Sequence, residues 1–526
     1  MENYVDRLAD TSGGPNRSFW VHAYNNEYCY KPGVFGAVNV AGSATPNAAG
    51  VFATPANCTA SAGAGYLPAN FSADSGDLKI TSTQIQPRIA FTYATDPDTV
   101  VRASFGIYSR PVNSSWLQYN NLNDRDFTQY AASNFLGYGF NTPRHNLRPD
   151  TSYNYDFSLE KHVRGTDVSA KVTPFYRSTR DQLQAFPIGV GGIVSGFNVG
   201  QQKSYGVEVA LRKGDFARDG FAGQLAYTYT NSRIKYAQFP SGVNLIDGLN
   251  LYVKDYNAYT SFCGTNPTDT RCGTVVGGHS AAACYDATGA PVACGAAGAV
   301  VNPYFNQPVQ NLFPVNAEYT TYDQIPQPFV GENGYETPHV IAAVLQYKRH
   351  NVSLTPSLTF SSGSSYGSPL SYPGYIPDGK CADPAHPYTC SGFTSASGGN
   401  LDFLFIPNAF TGSFDTLGAF KQPSRLTLNL GVGYAASKNV SFNLTLTSLV
   451  DKCFQRGYAW DDKNICVYSE LPSGGAGLGP SGNFLPLAAT PVQLRYPYGP
   501  FNNNLNTGFV GTTMPTQASL SMQVRL

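Results

Sequence analysis

The residues best equipped for chemistry are ten cysteines: Cys29, Cys58, Cys263, Cys272, Cys284, Cys294, Cys381, Cys390, Cys453 and Cys466. Taken in chain order they form neighbouring pairs, and four of these pairs lie close together in sequence. None is CxxC and none has a histidine at zinc-ligand spacing, so the pattern argues weakly for metal. Local disulfides that close loops fit better, each worth roughly 2–3 kcal/mol in the chain-entropy model. Connectivity stays open, with free thiols or other pairings as the alternative. Such bonds persist in an oxidising compartment, which points to an exported protein. The histidines are scattered, and His162 and His350, beside turns, read as solvated residues rather than ligands. Asp461 and Asp462 form a lone acidic pair, too little for a calcium site. HExxH and P-loop patterns are missing. No catalytic set, metal or cofactor is expected, and the chain does not read as an enzyme. Trp116, Tyr119, Tyr458 and Trp460 sit in long polar segments, where they either stack on an extracellular ligand or pack within the loops.

The elements that position these residues follow from composition and periodicity. The 526 residues carry 34 basic and 34 acidic side chains, and charged residues make up 13% of the chain. That is about half the share of roughly 25% usual in soluble globular proteins. Zero net charge removes the counterion-release drive towards nucleic acid, so no nucleic-acid partner is expected. No apolar run approaches the ~20 residues of a spanning helix, and heptads are missing. Abundant Tyr, Gly, Asn, Ser and Thr without helical periodicity indicate an all-β protein.

Period-two alternation marks about eleven long strands. In RLTLNLGVGY (425–434) Leu426, Leu428, Leu430 and Val432 share one face, with Arg425, Thr427 and Asn429 on the other. VSFNLTLTSLV (440–450) and ASLSMQVRL (518–526) repeat the pattern. So do segments 87–93, 100–108, 153–163, 168–177, 204–212, 221–230, 339–348 and 351–360. Soluble sandwich strands average ~5–6 residues, whereas tilted membrane-spanning strands need ~9–11. Tight polar turns alternate with long segments rich in Gly, Pro, Asn and Ser, and the second long segment (between 177 and 204) is expected to be a loop. Short turns at one rim and long loops at the other describe an antiparallel transmembrane β-barrel. Tyr93, Tyr108, Tyr176, Tyr205, Tyr227, Tyr229, Tyr347 and Tyr434 near strand ends serve as interface anchors. Every cysteine except Cys29 and Cys58 is expected inside a long loop. Arg102, Glu160, Lys171, Arg177, Glu208, Arg212, Arg425 and Arg525 fall on the polar stripes and would face the lumen, since a mid-depth charge facing lipid costs ~2–4 kcal/mol. A soluble sheet with one wet face produces the same alternation and stands as the competing reading.

Five segments carry a resemblance to a known family. NLRPDTSYNYDFSLEKHVRGTDVSAKVTPFYRSTRDQL (146–183) resembles the "L-x-P-E-T-S-x-x-Y-E-x-G-L-E" region of TonB-dependent outer-membrane receptors, with its turn and following strand. KSYGVEVALRKG (203–214) and LAYTYTNSR (225–233) are similar to the family's "S-x-G-x-E" hairpin and its partner. PRIAFTYATDPDTVVRASFGIYSRP (87–111) and LTLNLGVGYAASKNVSFNLTLTSLVDK (426–452) resemble two further hairpins, the latter with Ser448 where the family has Asn and Asp150 standing for Glu upstream. The resemblance implies residues 85–526 as the C-terminal half of a 22-stranded barrel, after a loop-rich start at 1–84 with room for one strand. It also implies a bacterial outer-membrane location, lipid around the wall, and uptake of an extracellular ligand. Coupling to the TonB complex would run through a plug and N-terminal segment not found in this sequence. MENYVDRLADTSGG lacks the basic and apolar regions of a signal peptide, so the chain is expected to be part of a longer protein. The alternatives are a porin-like or surface-anchoring barrel, and a secreted soluble β protein such as an adhesin or carbohydrate-active enzyme. The resemblance further implies an open sheet, with residues 518–526 lacking a closing partner.

Overall fold

The computed structural model describes residues 2–8, 21–22, 25, 29–30, 67–70, 78–112, 136–140, 147–187, 194–265, 284–285, 292–297, 299–301, 306–321, 337–366, 373–375, 403–405, 407, 413–421, 424–454 and 515–525. Eleven strands form one antiparallel sheet in sequence order: β1 (Arg88–Asp96), β2 (Thr99–Arg110), β3 (Asp150–His162), β4 (Val168–Pro187), β5 (Val194–Lys213), β6 (Gly220–Tyr236), β7 (His339–Arg349), β8 (Val352–Ser361), β9 (Arg425–Ala435), β10 (Val440–Cys453) and β11 (Gln517–Val524). A two-residue strand, Tyr319–Thr320, adds to the outer part of β6. Ahead of the sheet Glu2–Leu8 pairs with Leu78–Gln84. The wall does not close: β1 and β11 lie at its two edges. With an odd number of alternating strands these edges run in the same sense, so they cannot pair with one another antiparallel.

Register carries one apolar stripe through the whole wall. Tyr93 faces Val101, Val101 faces Leu159, Leu159 faces Val172, Val172 faces Val209 and Val209 faces Tyr227. Beyond β7 the stripe continues through the pairs Leu358–Leu428, Val432–Leu444 and Leu444–Leu520. None of these side chains is buried; Phe91 is 60% exposed, Leu345 60% and Leu520 72%. Leu426, Leu428 and Leu444 are half-buried. A soluble sheet would cover this face with a second layer, and among the described residues none lies against it.

Two of the expected features differ. The segment read as a loop between 177 and 204 is mostly strand, because β4 and β5 are each 20 residues long and leave only 188–193 between them. A register shift between Thr179 and Leu183, with Asp181 at φ 52°, lets the ladder continue past the end of the alternating pattern. Among the described residues there is also one long helix, α1 (Leu245–Thr265), inside the connection between β6 and β7. Tertiary partners at the loop end stabilise it where periodicity alone was weak.

Gly206 explains part of the SYGVEV motif. It lies on the polar face under the ring of Phe175, and a Cβ there would stand 1.8 Å from the Tyr229 carbonyl oxygen and 2.8 Å from Phe175 Cζ. The β5–β6 ladder cannot move apart without losing pairs on both sides. Ser448 adopts φ 53° opposite the β9–β10 irregularity, and its N–H donates to Asn429 Oδ1 at 2.8 Å. This left-handed conformation favours Asn over Ser. Gly206→Val is expected to destabilise the wall by about 1–3 kcal/mol, the usual penalty of overpacking. A lowered midpoint of heat-induced change in gel migration measures it, and an unchanged midpoint would refute the close approach.

Candidate functional site

The polar face is built by the same parity that builds the apolar one. Arg102, Glu160, Lys171, Arg177, Glu208, Arg212 and Arg425 all project from it, and Arg525 continues it one residue past β11, its N–H bonding the Asn439 carbonyl. Glu160 stands directly opposite Lys171, and Arg102 Nη1 reaches its carboxylate at 2.5 Å. At the loop end Arg425 binds the nearly fully buried Asp451 through two nitrogens, at 2.8 and 2.5 Å. Arg177 lies over the Phe175 ring, 5.1 Å from its centroid. Charge on this face concentrates in β1–β5. From β8 to β11 hydroxyls and amides predominate, including Ser353, Thr355, Ser357, Thr359, Asn443, Thr445 and Ser519, with the Arg425–Asp451 pair at the loop end. Tyr108, read from sequence as an interface anchor, is turned to the polar face under the Arg88 guanidinium, at 4.6 Å.

The buried core lies elsewhere, at the loop end of the sheet. Phe197, Val199, Ile234 and Tyr236 from the outer parts of β5 and β6 pack with Ile246 and Val253 of α1, Phe313, Tyr319, Leu136 and Leu417. Tyr138 meets Phe239 edge-on with centroids 4.5 Å apart, and Phe197 lies 5.4 Å from Tyr138. Burial pushes the Tyr138 and Tyr256 phenols far above their ordinary range.

Helix α1 begins at a reciprocal cap. Asn244 Oδ1 accepts from the Ile246 N–H at 2.9 Å, and Asp247 Oδ2 accepts from the Asn244 N–H at 2.8 Å. Beyond the cap, asparagines about two helical turns apart hold an extended segment along the helix. Asn250 donates to the Phe313 carbonyl and accepts from its N–H, both at 2.8 Å. Asn257 does the same for Gln310, at 3.0 and 2.7 Å. Thr260 Oγ1 accepts from the Gln307 N–H at 2.9 Å. Each asparagine thus replaces a β-ladder partner for residues 307–313. The spacing Asn244, Asn250, Asn257 was the available sequence signal.

Among the cysteines, Cys284 and Cys294 form a disulfide, and Cys284 pairs with Val301 in a two-residue ladder. Cys29 begins a two-residue strand and Cys263 lies in α1. Cys453 is the last residue of β10 rather than a loop residue, because the ladder continues past the β9–β10 irregularity to Arg425. Cys58, Cys272, Cys381, Cys390, Cys466, Trp116, Tyr119, Tyr458 and Trp460 lie outside the described residues. No group of three or more potential metal ligands occurs among the described residues, and no described helix is long and apolar enough to cross a membrane.

Residues 52–447 match the family described as TonB dependent receptor-like, beta-barrel. The chain belongs to the TonB-dependent receptor β-barrel family. The rest of β10 and all of β11 lie beyond the matched residues. No curated protein matches the chain. Among solved structures it is similar to the ferric-catecholate import receptor Fiu from E. coli, at 11% identity and TM-score 0.31, over 71% of this chain and 32% of that one. It is similar to the siderophore receptor PiuA from Acinetobacter baumannii, at 13% identity and TM-score 0.32, over 72% and 33%. The FrpB iron transporter from Neisseria meningitidis is similar at 10% identity and TM-score 0.31, over 71% and 36%. The chain spans about a third of the length of these structures.

The asparagine clamps carry a prediction for this receptor-family chain. Asn250→Leu strands the N–H and C=O of Phe313 in a buried setting, at a cost of about 1–3 kcal/mol. Limited proteolysis is expected to cleave within 237–338 sooner than in the parent chain while the strands stay protected. Equal cleavage rates would show that the clamp contributes nothing.

Proposed function

We infer that this chain is part of the wall of an outer-membrane uptake receptor, with its apolar face against lipid and its polar face lining an aqueous interior. The single observation that carries the reading is the uncovered apolar stripe running in register through eleven strands of a receptor-family sheet. Its height supports the same reading. On β6, Phe221 and Tyr229 lie eight residues apart at the two ends of the stripe. That is ~27 Å along the strand and ~21 Å after a tilt of ~40°, close to the ~25 Å apolar band of such walls. Phe221 meets Tyr347 in a tilted ring contact at the turn end, and Tyr155 meets Tyr176 likewise at the loop end, as two aromatic girdles would.

Charges flank the stripe rather than interrupt it. At the turn end Arg164 pairs with Asp98 at 2.9 Å and Lys213 with Asp167 at 2.9 Å. The Lys213 ammonium holds the exposed Asp167 carboxyl below the usual carboxylate range. In this reading the tight turns are periplasmic, and the loop-end core is an extracellular platform over the polar face. The ligand is an extracellular solute taken up by a longer protein whose plug and TonB-contacting segment are separate from these residues. The polar face between, charged in β1–β5 and hydroxyl-rich in β8–β11, supports an aqueous lining over a wall packed on protein.

Epitope accessibility tests the location and orientation together. In intact cells an epitope inserted after Asn316 is expected to bind antibody, whereas one after Lys438 binds only once the outer membrane is permeabilised. The reverse pattern, or recovery of both epitopes in a soluble fraction, would overturn the reading.

A further inference from the structure

The outer side of the wall changes character abruptly above the loop-end girdle. Register fixes the levels. Tyr155, Tyr176, Tyr205 and Asn231 face one another across β3–β6. One step further out, on the same face, the row reads Tyr153, Ser178, Lys203, Arg233. The next level holds Arg180, opposite Thr151, and Lys235, opposite Gln201. Four cations therefore occupy the two rows immediately above the aromatic level. They project away from the core, since the alternate residues Ile234 and Tyr236 are the buried ones. Among the described residues one carboxylate serves the group: Glu318, whose Oε1 accepts from Lys203 Nζ at 2.7 Å and whose carboxyl is held below its ordinary range by that bond, with Lys235 and Arg233 adding to it. Arg233 is oriented by the Thr320 hydroxyl at 2.6 Å, and Arg180 lies 5.1 Å from the centroid of the Tyr153 ring. Three positive charges remain beyond the one Glu318 balances.

We propose that Arg180, Lys203, Arg233 and Lys235 form a docking site for the phosphate headgroup of an outer-leaflet lipid. The inference rests on the membrane reading above and specifies what the wall meets at this depth. Position selects the source of the phosphate. Two residues beyond Tyr205 is ~7 Å along the strand, which sets the cations at headgroup level while the lipid's chains lie on Val207, Val209 and Leu211 below. All four side chains carry several donors each, suited to the several oxygens of a phosphomonoester. A soluble anion would find the same charges but gain nothing from the apolar wall beneath.

The test uses the full chain folded into phosphatidylcholine vesicles with a minor fraction of spin-labelled phosphatidic acid, or of spin-labelled phosphatidylcholine as reference. Selectivity for phosphatidic acid on the order of tenfold is expected, because basic residues near the surface attract an anionic headgroup. The variant Lys203→Gln/Arg233→Gln/Lys235→Gln is expected to lose most of it, whereas Lys348→Gln, at the turn end on the polar face, keeps it. Millimolar inorganic phosphate is expected to leave the selectivity in place; full displacement would assign the site to soluble anions and overturn the lipid assignment. A chain that inserts, scored by heat-modifiable migration, yet shows no selectivity, or whose triple variant matches the parent, refutes this inference alone. A chain that fails to enter vesicles of either composition refutes the membrane reading and this inference with it.

Discussion

The strand period of two, locked by cross-strand pairing from β1 to β11, is the constraint on which the rest of the structure depends. Paired residues share a face, so an apolar side chain on one strand fixes the face of its partner on the next. From Tyr93 on β1 to Leu520 on β11, the stripe survives because each register carries it across. A slip of one residue anywhere would turn Arg102, Lys171 or Arg212 onto the apolar face and the aliphatic side chains onto the polar one. The irregularities at Thr179–Leu183 and Leu428–Leu430 fall towards the loop ends of their strands, where a lost pair disturbs the stripe least.

Two different solutions to burial meet at the loop end. Below it the sheet leaves its apolar face uncovered, and under the proposed function lipid is the covering layer. Above it β5 and β6 continue with a conventional core, where Phe197, Val199, Ile234 and Tyr236 pack under α1. There the backbone of an extended segment has no neighbouring strand among the described residues, and Asn250 and Asn257 supply its partners. The platform is thereby joined to the wall through strands common to both.

The wall was legible in the sequence because alternation, strand length and turn spacing are local signals that all agree. All eleven segments read as strands are strands, with ends displaced where the pattern weakens. The platform was not legible. Asn250 reads as a poor helix residue until Phe313, far along the chain, is placed beside it, and β4 runs past residue 177 only because β5 accompanies it. Gly206 shows an intermediate case. Its place in the family motif was readable, but its reason, the carbonyl of Tyr229 directly against it, lies on another strand. The polar residues Arg102, Glu160, Lys171, Arg177, Glu208, Arg212 and Arg425 follow from parity, whereas the Arg425–Asp451 pair depends on an irregularity that alternation cannot reveal.

Accessibility of spin labels placed one at a time from Ser441 to Thr447 on β10, in the membrane-inserted chain, tests the central claim most directly. The account predicts collisions with oxygen dissolved in lipid at 442, 444 and 446, and with a water-soluble nickel complex at 441, 443, 445 and 447. Labels at 442, 444 and 446 shielded from both reagents would put that face inside a packed protein core and contradict the account.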